Sequence, residues 1–189
     1  MATESGAGGE SSVEMDVRSM GIDPMDIEET GELEYAVTPR HELLKKTLVT
    51  RAKFWLGYEY RGSEKEQCAN FVRRLLAESG ITISPAEKPF DCHLTGELEQ
   101  GPSFANSFFS AKNGALQGYG DLEPGDLVAF RDTYEGDFPK GCITHVGVWI
   151  GRESMIDRST AGEPVRELRL DDWWRERFVV GLRPWQICP

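Results

Sequence analysis

The chain has 189 residues, more than the usual 100–150 of one domain and few for two, so one compact domain with an appendage is the expectation. Of the formal net charge of −11, residues 1–38 carry −9, ten acids against Arg18 alone, and −2 remains for residues 39–189. Neither part offers the basic stripe that a phosphate backbone or an anionic lipid surface needs, and no apolar run reaches the roughly 18 residues of a membrane span. No nucleic acid and no membrane is therefore expected among the partners.

Residues 1–12 are small and polar, and the acids that follow leave too little apolar area to offset the entropy of ordering. Residues 1–38 therefore read as an acidic disordered leader. A docking strap is the sharper reading of residues 13–37, because Met15, Met20 and Met25 recur at five-residue steps and thioethers suit adaptable partner surfaces. From His41 the spacing of Leu43, Leu44, Leu48, Val49, Ala52 and Trp55 predicts a helix, with Thr38-Pro39 at its start and Gly57 at its end. A second helix is predicted from Gln67 to Glu78, burying Phe71, Val72, Leu75 and Leu76 and stopped by Gly80. Residues 84–120, rich in Pro, Gly, Ser and Asn, read as a long excursion with one short helix through SFANSFFSAK. Strand-length runs follow at 127–131, 144–151, 154–159, 165–170 and 178–185, β-branched and aromatic with Gly or Pro between them. Helices first and strands afterwards define an α+β domain over residues 39–189, with N-terminal helices packed on a meandering antiparallel sheet.

Four cysteines are too few for a disulfide scaffold, so free thiols are the default. Cys68 stands at the predicted start of the second helix, where unpaired amides and the helix dipole favour a thiolate, although burial as a small apolar residue is the commoner fate of a free cysteine. A thiol nucleophile needs a base. Of the three histidines only His145 sits in a strand-like run, whereas His41 is at a helix start and His93 in the excursion. Twelve residues beyond His145, Asp157 interrupts an apolar stretch, and a hairpin near Arg152-Glu153 would return it beside His145, where a carboxylate can hold the imidazole tautomer. The competing role for Asp157 is an exposed edge carboxylate paired with Arg158 or Arg166. Zinc is the competing chemistry, since Cys142 and His145 have a usual ligand spacing and Cys92 adjoins His93, but adjacent residues rarely face one metal. No metal and no cofactor is expected.

These pieces, in this order, resemble the NlpC-type cell-wall cysteine peptidases, a circularly rearranged branch of the papain-like fold. The resemblance runs over residues 41–185 and rests on GYEYRG (57–62), CANFVRRLLAESGI (68–81), LEPGDLVAF (122–130) and HVGVWIG (145–151). It implies Cys68 as nucleophile, His145 as general base, Asp157 as the third, orienting residue, and Tyr58 as the tyrosine whose hydroxyl lies near the oxyanion. Tyr60 is a rival for that last role, because the loop between Tyr58 and Cys68 is shorter than usual. The sequence departs from the family at Gln67-Cys68-Ala69, where many relatives read Asp-Cys-Ser and use the acid and hydroxyl to hold a peptide's free amino group. The neighbouring CHAP amidases also fit QCANFV, but fit the hairpin after His145 less well.

The resemblance implies hydrolysis of an amide bond in a peptidoglycan stem peptide through a thioester intermediate. The alternatives are an acyltransferase or deamidase acting on protein with the same fold, and a virion or secretion-system structural adaptor. The N-terminus lacks the basic then apolar layout of a signal peptide. The corresponding expectation is synthesis in the cytoplasm and delivery to the wall by a phage particle or secretion machine, with residues 13–37 engaging the carrier.

Overall fold

The computed structural model describes residues 39–59, 68–84, 105–134, 140–159 and 163–185. The leader, Tyr60, Cys92, His93, Cys188 and the segment 85–101 lie outside them. Among the described residues, three helices, α1 (Pro39–Phe54), α2 (Cys68–Glu78) and α3 (Asp172–Arg175), accompany six strands, β1 (Ala115–Gln117), β2 (Leu127–Arg131), β3 (Ile143–Gly151), β4 (Ser154–Asp157), β5 (Arg166–Arg169) and β6 (Phe178–Arg183). The strands form one antiparallel sheet in the order β1-β6-β2-β3-β4-β5. The expected meander therefore holds from β2 to β5, after which the chain returns and inserts β6 between β1 and β2.

Helix α2 is the predicted second helix with its apolar stripe inward: Phe71, Val72 and Leu75 have no exposed surface and Leu76 has 2%. Burying each such side chain contributes about 1.5–3 kcal/mol against solvent. Gly80 ends the helix at φ +72°, and two closing bonds, Gly80 N–H to Ala77 carbonyl (3.1 Å) and Ile81 N–H to Leu76 carbonyl (2.9 Å), satisfy its last carbonyls. α1 keeps Leu48 and Ala52 fully buried, but Leu43, predicted to face the core, is 63% exposed. The predicted stripe was too wide for a helix that touches the domain along one edge.

Helices α1 and α2 cover one face of the sheet, where they meet Leu127, Ala129, Val146, Val148, Ile156, Val180 and Leu182. A smaller cluster of Val128, Phe130, Trp149, Met155 and Leu170 occupies the other face and is closed by Tyr119, Trp174 and Phe178. The excursion supplies part of this frame. Its predicted short helix is a 3-10 turn at Ala105–Phe108, wholly buried, and β1 and a second 3-10 turn at Tyr119–Asp121 were hidden in its polar composition.

LEPGD, part of the resemblance, is a structural clamp. Asp126 has no exposed surface and accepts the Glu123 amide at 2.7 Å, and Nε and Nη2 of Arg183 on β6, each at 3.1 Å. Burial raises its carboxyl above the usual range, opposed by Arg183. Gly125 at φ +101° leaves room for Trp185, whose ring atoms lie 2.7 Å from where a Cβ would stand. Removing the cation would strand a buried carboxylate, so Arg183→Leu should destabilise the fold by about 3–5 kcal/mol, read as the shift in a urea unfolding curve. A shift below 1 kcal/mol or so would show that water or another group takes over the Asp126 oxygens.

Candidate active site

Cys68 is the first residue of α2 and is 6% exposed. Its Sγ lies 4.0 Å from the Thr144 carbonyl oxygen, which brings the helix start against β3 one residue before His145. The helix places the thiol at the positive end of its dipole, and β3 supplies the imidazole.

His145 is 6% exposed and Asp157 is fully buried. The hairpin expected near Arg152-Glu153 forms there: both residues have positive φ, 53° and 57°, as a two-residue type I′ connection requires. Glu153 is tied down by the Tyr119 hydroxyl (2.6 Å) and Arg175 Nη2 (3.0 Å), which offset the cost of a left-handed non-glycine. The hairpin returns Asp157 beside β3, where His145 Nε2 and Asp157 Oδ2 are 2.8 Å apart. With Nε2 engaged, Nδ1 is the ring nitrogen left for another partner, and the Cys68 thiol is near enough for its charge to act on the ring. Gly147 lets the strands come this close, because a Cβ there would stand 2.7 Å from Met155 Sδ and 3.4 Å from Asp157 Cβ.

Burial on its own would lower the imidazole's proton affinity. The Cys68 charge and the hydrogen bond and charge of Asp157 outweigh it and pull His145 up to about 10. Burial would likewise raise Asp157, yet its bonds to His145 and Arg166 and their charges hold it below the usual carboxylate range. At neutral pH His145 is thus a protonated imidazolium beside an ionised Asp157, with the Cys68 thiol next to it, able to give a proton to a leaving group.

The structure thus brings Cys68, His145 and Asp157 together. The edge-carboxylate reading of Asp157 is overturned by its complete burial, although Arg166 does bind it, Nε to Oδ1 at 3.1 Å. The Tyr58 ring packs edge-on against Trp55 at 4.7 Å, and its carbonyl accepts the Val165 amide at 3.1 Å. Among the described residues no three His, Cys, Asp or Glu side chains are grouped to hold a metal ion.

Three residues that sequence reasoning did not assign to the site border it. Arg166 is one. Trp174, in a four-residue helix with too few positions to show a period, packs its ring 5.5 Å from that of His145 and 4.9 Å from that of Phe130. Tyr134 follows Thr133, whose amide (3.0 Å) and hydroxyl (2.8 Å) both bind Oγ1 of Thr144, the residue whose carbonyl lies 4.0 Å from the Cys68 sulfur. Burial and then the Cys68 charge push its phenol up to about 12.

Helices packed on a six-stranded antiparallel sheet, with a helix start set against β3, define an α+β fold of the NlpC type. The chain belongs to the NlpC/P60 family, whose profile matches residues 56–183. It is 29% identical over 125 residues to the bifunctional muramidase/DL-endopeptidase CwlT of Bacillus subtilis, an alignment covering 65% of this chain and 30% of that protein. It is 24% identical over 173 residues to the murein DD-endopeptidase MepS/murein LD-carboxypeptidase of Escherichia coli K12, covering 89% of this chain and 77% of that protein. Among solved structures, an NlpC/P60 family protein from Bacillus cereus shares the fold at TM-score 0.52 and 22% identity, covering 74% of this chain and 40% of that one. The chain thus spans about 30% of the length of CwlT.

Two outcomes follow from this geometry. His145 holds its proton in the fold to about pH 10, above the ordinary 6.5, so its contribution to stability is complete below 6.5 and is lost as pH rises through 10. Urea midpoints of the wild type and His145→Gln should therefore converge across that window, and a constant gap would contradict the assigned protonation. Gly147→Ala should cost about 1–3 kcal/mol by overpacking and should slow alkylation of Cys68 by iodoacetamide. Unchanged labelling would mean that the β3–β4 spacing does not position the imidazole.

Proposed function

We propose that the chain hydrolyses an amide bond in peptidoglycan stem peptides, with Cys68 as nucleophile, His145 as base and acid, and Asp157 as the residue that orients His145. The observation that carries this reading is the buried His145, held at 2.8 Å by Asp157 and preceded by Thr144, whose carbonyl lies 4.0 Å from the Cys68 sulfur at the start of α2. The murein endopeptidases among its relatives supply the substrate class.

In the proposed reaction the Cys68 thiolate attacks the amide carbonyl carbon. The Cys68 backbone amide, directed out of the first turn of α2, donates to the oxyanion. The hydroxyl of Tyr58 or Tyr60 adds a second donor in the family-based assignment. As the carbon–nitrogen bond breaks, the imidazolium gives its proton to the leaving nitrogen and a thioester remains on Cys68. The neutral imidazole then takes a proton from water, the resulting hydroxide attacks the thioester, and the thiolate–imidazolium pair is restored. Ala69, buried to 1%, has no hydroxyl with which to hold a free amino terminus. This favours a substrate bound along its chain over one gripped by its end.

We also propose that residues 13–37 engage a carrier that delivers the domain to the wall, on the grounds of their acidity and spaced methionines. Deleting residues 1–38 should then leave hydrolysis of soluble muropeptides unchanged, and lost hydrolysis would place part of the catalytic unit before Pro39. The reading as a whole is tested by mass analysis of fragments released from purified sacculi. Wild type should release fragments that identify one amide bond, Cys68→Ala none, and Cys142→Ala nearly the wild-type amount. Release by Cys68→Ala would overturn the assignment of the nucleophile.

A further inference from the structure

The carboxylate that holds His145 has a second partner. Arg166 is the register partner of Asp157 across the β4–β5 pair. Its Nε donates to Asp157 Oδ1 at 3.1 Å, while His145 engages Oδ2 at 2.8 Å. The guanidinium continues outward, Nη1 to Glu163 Oε2 at 3.3 Å. With the thiol ionised, Cys68, His145, Asp157, Arg166 and Glu163 alternate in sign from the helix start to the surface. Asp157 is fully buried and the Arg166 side chain 37% exposed, so the series carries the charge balance of the interior out to solvent.

We propose that Arg166 is a positioning residue for this reaction: by holding Oδ1 it fixes the carboxylate plane of Asp157, so that Oδ2 meets Nε2 of His145 and the other imidazole nitrogen faces Cys68. The inference rests on the reading of Cys68, His145 and Asp157 as the reacting group. Two observations support it beyond the bond itself. The stem of Arg166 starts from an anchored point, because Val165 before it is 1% exposed and pairs through its backbone with Gly57 (2.8 Å) and Tyr58 (3.1 Å). The third residue here is also an ionised carboxylate, whose burial carries a desolvation cost that one imidazolium must otherwise meet alone.

The direction of the pH effect follows. The charged groups facing Asp157 are His145 from β3 and Arg166 from β5, with Cys68 of α2 behind the first and Glu163 behind the second. Burial pushes Asp157 up, while His145 and then Arg166 pull it below the ordinary carboxylate value. The benefit of its ionisation is present above the ordinary value and lost as pH falls through the lowered one. Removing Arg166 lessens the lowering, so the loss begins at higher pH.

The test is the rate of Cys68 alkylation by iodoacetamide against pH, with kcat and KM on a muropeptide, for wild type, Arg166→Gln, Arg166→Lys and the surface control Arg169→Gln. A charge-assisted hydrogen bond discounted for its half-exposed partner predicts that Arg166→Gln slows alkylation about three- to tenfold on the acid side. Its acid limb should move to higher pH and kcat should fall at unchanged KM, with Arg166→Lys recovering most of the rate and Arg169→Gln matching wild type. A profile for Arg166→Gln that superimposes on wild type overturns the inference. So does an equal loss in Arg166→Gln and Arg166→Lys that tracks a common fall in the urea midpoint, since that marks strand pairing alone. Alkylation needs no substrate: wild type that labels as expected but cleaves no muropeptide would sink the proposed function, while Arg166 would still be judged by its own profile.

Discussion

The 2.8 Å contact between His145 and Asp157 is the constraint around which the domain is arranged. Neither side chain has useful access to water, so each charge must find its partner within the protein. That requirement explains several features that look unrelated in isolation. The β3–β4 hairpin needs two consecutive left-handed residues to bring Asp157 back in register, Gly147 has to lack a side chain so that the two strands can close, and Arg166 sits opposite Asp157 on the next strand. Helix α2 then completes the pair from the other side by presenting Cys68 at its first turn.

The rest of the fold holds these elements in place. The apolar stripe of α2 fixes the helix on the sheet, and the Asp126–Arg183 clamp joins the start of β2 to β6, so that the central strands are bound on both sides. The second cluster, on the face away from α1 and α2, brings the Trp174 ring against the imidazole. A site built on two neighbouring strands and a helix start has little freedom to drift, which suits chemistry that depends on a fixed imidazole orientation.

What could be read from the sequence was local. The α2 stripe and its glycine stop, the run LVAFR and the hairpin after His145 each announce themselves within a dozen residues, and the place of Asp157 followed from counting back along that hairpin. The misses were of two kinds. Short elements escaped because three or four residues cannot display a period: β1, the 3-10 turn at Tyr119–Asp121 and α3, whose start is marked by Asp171 accepting the Trp174 amide. Long-range neighbours escaped because spacing along the chain does not encode them, as with β6 between β1 and β2 and Thr133 gripping Thr144. The exposure of Leu43 is a third case, in which the helix was right and the width of its buried face was not.

The central claim is that Cys68 becomes covalently acylated while His145 moves the protons. It is tested most directly by acid-quenching the protein early in its reaction with a stem-peptide substrate and mapping the adduct by mass spectrometry. The account predicts that the acyl half of the cleaved substrate appears as a thioester on the peptide containing Cys68, sensitive to hydroxylamine and absent from Cys68→Ala. Cleavage at full rate without that adduct under conditions that trap thioesters, or an adduct on any other residue, would contradict it.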